Sequence, residues 1–175
     1  MKRFTYIVDG DIKSTKSSPI IDEAGNIVAT VEREYSNGLK KLLDSYFDYR
    51  YFVKYVVKRD NIESFTTRKI FRRGKVWFEA MDILHNNPYA ILYENWRIAI
   101  PELSINGANF EMKLDKEMEQ WSRFKENDVE VARWKATYNE ESATFLVEIE
   151  IEEDCSIQSV DFFACIGQSV LFIGM

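Results

Sequence analysis

The residues able to do covalent chemistry are few and poorly placed for it. The only histidine, His85, sits in Leu84-His-Asn-Asn-Pro88, a segment rich in turn formers. Acyl transfer needs a nucleophile, a base and a group that orients the base. Neither cysteine, Cys155 nor Cys165, is near His85 in sequence, and no GxSxG elbow is present. GxxxxGK[ST], GxGxxG and HExxH are absent too. The expectation is a non-enzymatic protein with no catalytic residues and no cofactor. The two cysteines form no disulfide framework and no CxxC metal pair, so they read as free thiols in a reducing compartment.

Two further patterns invite chemistry and have plainer explanations. Glu148, Glu150 and Glu152 alternate with Val147, Ile149 and Ile151, which lines carboxylates along one strand face where a hard cation could sit. Calcium sites draw on loop carbonyls, and no such loop accompanies these residues; a solvated strand face is expected and no metal site is predicted. Trp77, Trp96, Trp121 and Trp134 could stack single-stranded bases. They are dispersed among acidic segments that repel phosphates, so core packing is expected and nucleic acid is excluded as a partner.

One charged segment stands apart. The chain carries a net charge of −6. Residues 50–75 hold nine bases (Arg50, Lys54, Lys58, Arg59, Arg68, Lys69, Arg72, Arg73, Lys75) against Asp60 and Glu63, or +7. Strand alternation sets Lys54 and Lys58 opposite Tyr51, Val53, Tyr55 and Val57, hence outward. Arg68 and Arg72 share a parity on the next strand, and Arg73-Gly-Lys75 makes a basic turn. Lys54, Lys58, Arg68, Arg72, Arg73 and Lys75 are the candidate ligand-binding residues. Arginine forks and lysine ammonium groups suit phosphate, and each base near an anionic leaflet contributes about 1 kcal/mol. The competing reading is a solvated face whose lysines discourage edge pairing.

The elements that would position these residues are mostly strands. Period-two alternation marks 4–8, 19–21, 26–33, 51–58, 62–72, 75–82, 89–93, 96–100, 109–114, 120–124, 129–135 and 144–151. The polar stretch near Lys13 is taken as extended as well, for about twelve strands in all. Leu39, Leu42, Leu43, Tyr46 and Phe47 recur at helical spacing and predict a short helix near residues 39–48. From Ser159 to Ile173 the chain is apolar nearly all round, the pattern of a helix buried on every side, with Ser159 or Asp161 as its cap. No linker divides the chain, so a single domain over residues 1–175 is expected.

A meander of strands ending in such a helix resembles the tubby C-terminal-like superfamily, which includes LURP-one-related proteins and phospholipid scramblases. The residues carrying the likeness are Lys16-Ser-Ser-Pro-Ile-Ile-Asp-Glu-Ala-Gly-Asn-Ile-Val28, the run Phe162 to Ile173, and the spacing of Trp96 and Trp134. The resemblance implies a closed barrel of about twelve antiparallel strands around a hydrophobic C-terminal helix. In tubby proteins a phosphoinositide headgroup binds basic strands of the central barrel, which directs attention to residues 50–75. The function expected is peripheral binding of anionic phospholipid headgroups. A protein-interaction module or a carrier of a small apolar ligand are the alternatives, and a scramblase-like activity is weakened by the lack of a membrane span and of a cysteine cluster. The opening MKRFTYIVDG lacks the apolar length of a secretory signal. A cytoplasmic protein, peripheral at the membrane, is therefore expected.

Overall fold

A computed structural model describes residues 1–47, 49, 51–72, 75–94, 102–117 and 120–173. Its elements are β1 (Lys2–Asp9), β2 (Ser18–Asp22), β3 (Ile27–Arg33), α1 (Gly38–Ser45), β4 (Lys54–Arg59), β5 (Ile62–Arg72), β6 (Lys75–Asp82), β7 (Asn87–Tyr93), β8 (Glu102–Gly107), β9 (Phe110–Asp115), β10 (Ser122–Glu126), β11 (Val129–Asn139), β12 (Thr144–Ile151) and α2 (Val160–Val170). Every strand pairs antiparallel with its sequence neighbours, and β1 closes the barrel on β12, from Lys2 opposite Ile151 to Asp9 opposite Thr144. Closure leaves no sheet edge to pair with another chain.

The alternation read from the sequence is the physical basis of the wall. Tyr6 and Val8, Ala29 and Val31, Tyr55 and Val57, Leu103 and Ile105, and Val147 and Ile149 all point inward and are buried. One expected extended segment differs. Residues 11–17 form the β1–β2 loop, because Asp9 and Asp11 accept hydrogen bonds from backbone N–H groups two residues on and bend the chain. The strand expected at 96–100, with Trp96 and Pro101, lies outside the described residues, and β8 follows at Glu102–Gly107.

The interior is filled by α2, all of whose residues are buried. Phe162 meets Phe65, Tyr89, Phe110 and Phe163 edge-on, with ring centroids 5.6, 5.4, 6.0 and 5.1 Å away. Burying each such ring stabilises the fold by about 1.5–3 kcal/mol. Gly167 is mid-helix for a steric reason: a Cβ there would lie 2.3 Å from Trp134 Nε1. The buried polar atoms on this seam find one another. Trp134 Nε1 donates to Tyr6 Oη at 3.4 Å, and Tyr6 Oη donates to Gln168 Oε1 at 3.4 Å.

The start of α2 departs from the expected capping. Ser159 occupies the cap position but makes no side-chain cap bond. Asp161 in the first turn, 3% exposed, accepts a forked pair of hydrogen bonds from Arg59 at 2.7 and 2.8 Å. A carboxylate at a helix N-terminus also suits the helix dipole.

Candidate functional site

The turn Asp60-Asn61 sets the register that assembles the basic residues. Both residues adopt positive φ, 50° and 64°, which Asp and Asn tolerate and a two-residue hairpin demands. Together with a bulge between Val57 and Lys58, it places Lys54 directly opposite Arg68. The next hairpin places Arg68 opposite Glu79 and Arg72 opposite Lys75. Lys54, Arg68, Arg72 and Lys75 therefore share the outer face of β4–β6. Arg73 lies outside the described residues.

These cations do not stand alone. Lys54 Nζ is 3.1 Å from Glu34, Lys58 bonds Glu32 and lies 2.7 Å from Glu34, and Arg68 reaches Glu79 at 2.6 Å. Burial would raise the Glu34 carboxyl, but hydrogen bonds from Lys58 and Lys54 outweigh it and hold it below the usual carboxylate range. The bonds from Glu32 and Glu34 in turn push the Lys58 ammonium above its ordinary value. Arg72 and Lys75 are exposed and make no ion pair among the described residues. The three acids come from β3, its exit and β6, outside the +7 segment, which is why a count of charge along the sequence missed them.

Where the chain leaves β3, a cleft of ≈ 370 Å³ opens between that connection and β4–β5. Lys40, Lys54 and Arg68 line it against a single acid, Glu34, with the Tyr35 and Ser36 hydroxyls, Phe52 and the apolar Val53 and Ile70. Lys69, opposite buried Phe78, has the inward parity of β5 and lines the recess at the barrel mouth. Two like charges set directly opposite, as Lys54 and Arg68 are, repel. Glu34 and Glu79 offset that repulsion, and an anion bound between the two cations competes with these acids. The existing ion pairs present a small barrier, because solvent-accessible pairs contribute only about 0–1 kcal/mol. Lys40, Tyr35, Ser36 and Phe52 were not singled out from sequence. Their signal is their position in the β3–β4 connection, beside the basic strands only after folding.

A buried cluster builds one wall of this cleft. Asp44 of α1 is fully buried and accepts from Arg33 Nη2, Tyr35 Oη and the Tyr51 and Phe52 amides, each at 2.8 Å. Burial and then the Asp44 bond raise the Tyr35 phenol, so it stays a neutral donor. Arg33 also donates to the Ile12 and Tyr49 carbonyls. α1 is thereby fastened by its acidic side.

The other candidate chemistry resolves into structure. His85 pairs with Asp82 at 2.8 Å on the exposed β6–β7 turn. Cys165 contacts Tyr55 and Thr67 inside the barrel, and Cys155 contacts Glu126. Burial pushes their thiols up to about 12 and about 11, which disfavours the thiolate. Glu150 is clamped by Arg3 and Arg133 across neighbouring strands. No cluster of metal-ligating side chains occurs among the described residues. Trp134 is core, as expected, whereas Trp121 is half-buried beneath Arg133, whose guanidinium carbon lies 4.6 Å from the ring centroid.

A closed barrel with a buried C-terminal helix and a cationic cleft at its rim is an architecture compatible with a binding module. The model of the Tubby C-terminal like domain matches residues 4–173, and the chain belongs to that family. No match was found among curated proteins or among solved structures. Among the described residues no helix is long and apolar enough to cross a membrane.

Proposed function

We propose that this protein is a non-enzymatic module that binds multiply phosphorylated lipid headgroups peripherally, in the cleft bounded by Lys40, Lys54 and Arg68. The observation that carries the reading is the direct cross-strand opposition of Lys54 and Arg68 beside a cleft that Lys40 also lines, with one acid, Glu34. A volume of ≈ 370 Å³ falls within the roughly 300–1,000 Å³ of small-ligand pockets. Family membership and the analogy with phosphoinositide binding by tubby proteins support the same region. Lys58, Arg72, Arg73 and Lys75 act in this reading as the surrounding electrostatic field.

The carrier alternative is disfavoured because α2 occupies the barrel interior. The recess beside its C-terminal end, lined by Val53, Tyr55, Phe78, Tyr93, Phe172 and Ile173 among others, measures only ≈ 240 Å³.

Vesicle co-sedimentation tests the proposal. Phosphatidylcholine vesicles carrying phosphatidylinositol bisphosphate should pull down the wild-type protein at low salt, and less at physiological salt, where exposed charges are screened within about 8 Å. Replacing Lys54, Lys58, Arg68 and Arg72 with Gln should abolish binding with the fold intact by circular dichroism. Indifference of the wild type to these vesicles at low salt would sink the lipid reading in favour of a protein partner.

A further inference from the structure

Helix α1 is mounted the wrong way round for a soluble protein. At 100° per residue, Leu39, Leu42, Leu43 and Tyr46 fall within an arc of roughly 100°. Such a stripe ordinarily packs on the core. Here the helix buries Asp44 instead, and the stripe faces out: Leu39 is 63%, Leu42 58% and Tyr46 77% exposed. The orientation is fixed, because Asp44 holds four hydrogen bonds on the opposite side. The apolar surface continues beyond the helix. Phe47 stacks on Tyr51 at 5.2 Å and Tyr51 on Phe71 at 5.4 Å, which reaches the tip of the β5–β6 hairpin. Phe47 and Phe71 are themselves half exposed.

The surroundings are cationic. Lys40 borders the stripe on the helix, and Arg72 and Lys75 follow Phe71 at the β5–β6 hairpin, all exposed. The exposed acids at the same end of the barrel, Asp11, Glu94, Glu140 and Glu141, sit on the β1–β2, β7–β8 and β11–β12 connections, outside the β3–β6 sector. An apolar helical stripe bordered by basic side chains is the pattern of an interfacial surface, where long basic stems lie along the apolar boundary while their charges meet anionic headgroups.

We infer that the outward face of α1, with Phe47 and Phe71, inserts into the interfacial layer of an anionic bilayer while the adjacent cleft holds a headgroup. This rests on the lipid reading above and adds the mode of contact. Charge decides the occupant. A second copy docked face to face would bring Lys40, Arg72 and Lys75 of both copies together, which repel. A groove-type protein partner would need acids around an apolar slot, whereas an anionic leaflet supplies both the apolar depth and the negative charge.

The test uses the full chain and three readouts. Leu39, Leu42 and Leu43 are changed together to Ser, positions whose exposure leaves the fold untouched. Binding to phosphatidylcholine–phosphatidylserine vesicles should fall at least a hundredfold, because each leucine returned to water costs on the order of tenfold. Affinity for soluble inositol hexakisphosphate should stay at the wild-type level. Separately, Leu43→Cys labelled with a polarity-sensitive dye should shift to the blue on adding those vesicles; Cys155 and Cys165 are buried and leave the label at position 43. Vesicle binding unchanged by the serine variant, or no blue shift, overturns insertion and leaves the headgroup reading standing. Vesicle binding lost in the serine variant but retained by Lys54→Gln/Arg68→Gln supports insertion and refutes the cleft. A concentration-dependent dimer that the serine variant abolishes assigns the face to a second copy and overturns the proposal.

Discussion

The two ends of the barrel are built on different plans. At the end where α2 begins, the connections β2–β3, β4–β5, β6–β7, β8–β9 and β10–β11 span two to four residues. Asp60-Asn61 and Asn127-Asp128 are both positive-φ pairs that turn the chain in the least length. That end is acidic and exposed at Glu23, Asp60, Asp128, Glu152, Glu153 and Asp154. At the other end β1–β2 spans eight residues and β3–β4 twenty, α1 included. There the β3–β6 sector carries the cations and the outward leucines. Both ends contain a buried aspartate gripped by an arginine. Arg59 and Asp161 lock the core helix in its barrel, whereas Arg33 and Asp44 lock a surface helix with its apolar side turned to solvent. The same interaction serves closure at one end and display at the other.

That contrast can be broken most severely through the helix both ends share. Gly167→Val should lower unfolding stability by about 3 kcal/mol in denaturant titration, because the new side chain must occupy the place of the Trp134 indole. Arg59→Ala leaves Asp161 buried without a partner. With Arg59 itself partly exposed, the loss should be about 2–3 kcal/mol, seen as a global shift of the transition. Asp44→Ala should behave differently although its carboxylate is more buried. Local opening of residues 34–53 can hydrate Arg33, so global stability should move by less than about 1 kcal/mol while limited proteolysis of that segment accelerates. Equal global losses for Arg59→Ala and Asp44→Ala would erase the distinction between a locking and a displaying pair.

The smallest effect is on acid titration. Glu34 has its carboxyl held below the ordinary value of 4.5 in the folded chain. The unfolded chain therefore binds the proton first, so this stabilisation is present above about pH 4.5 and is lost as pH falls through the lower folded value. Glu34→Gln should therefore lower stability slightly at neutral pH, flatten the acid limb of a stability–pH profile, and leave stability unchanged where the wild-type carboxyl is already protonated.

The wall and the filler were legible in the sequence for simple reasons. Alternation such as Tyr55-Val-Val57 or Phe145-Leu-Val147 reports which side of a wall a residue faces, and a run with Asp161 as its only charge has to be buried. β8 was missed because Leu103-Ser-Ile-Asn106 offers only two inward residues. The helix near 39–48 was legible as a helix, but not its orientation. Leucines at helical spacing predict a buried face, and only Arg33, presented by β3 inside the barrel mouth, reverses that. For the cleft, the sequence singles out Lys54 and Arg68 as bases. Their opposition depends on a bulge and a two-residue turn that alternation does not encode. The balancing acids Glu32, Glu34 and Glu79 belong to neighbours in space.

Pairing of β1 with β12 has a consequence for how the chain comes to be made. Synthesis runs from the N-terminus, so β1 emerges first and waits for its partner until eleven more strands have followed. The segment that fills the barrel, α2, emerges later still. Until then the inward-facing Tyr6, Val31, Phe65 and Ile105 have no core to join. The nascent chain must remain an unsealed curved sheet through most of translation, with contacts of long sequence separation formed last and slowly. A chaperone that shields apolar strand faces on the ribosome should therefore raise the yield of folded protein, and a pause placed after β12 should lower it.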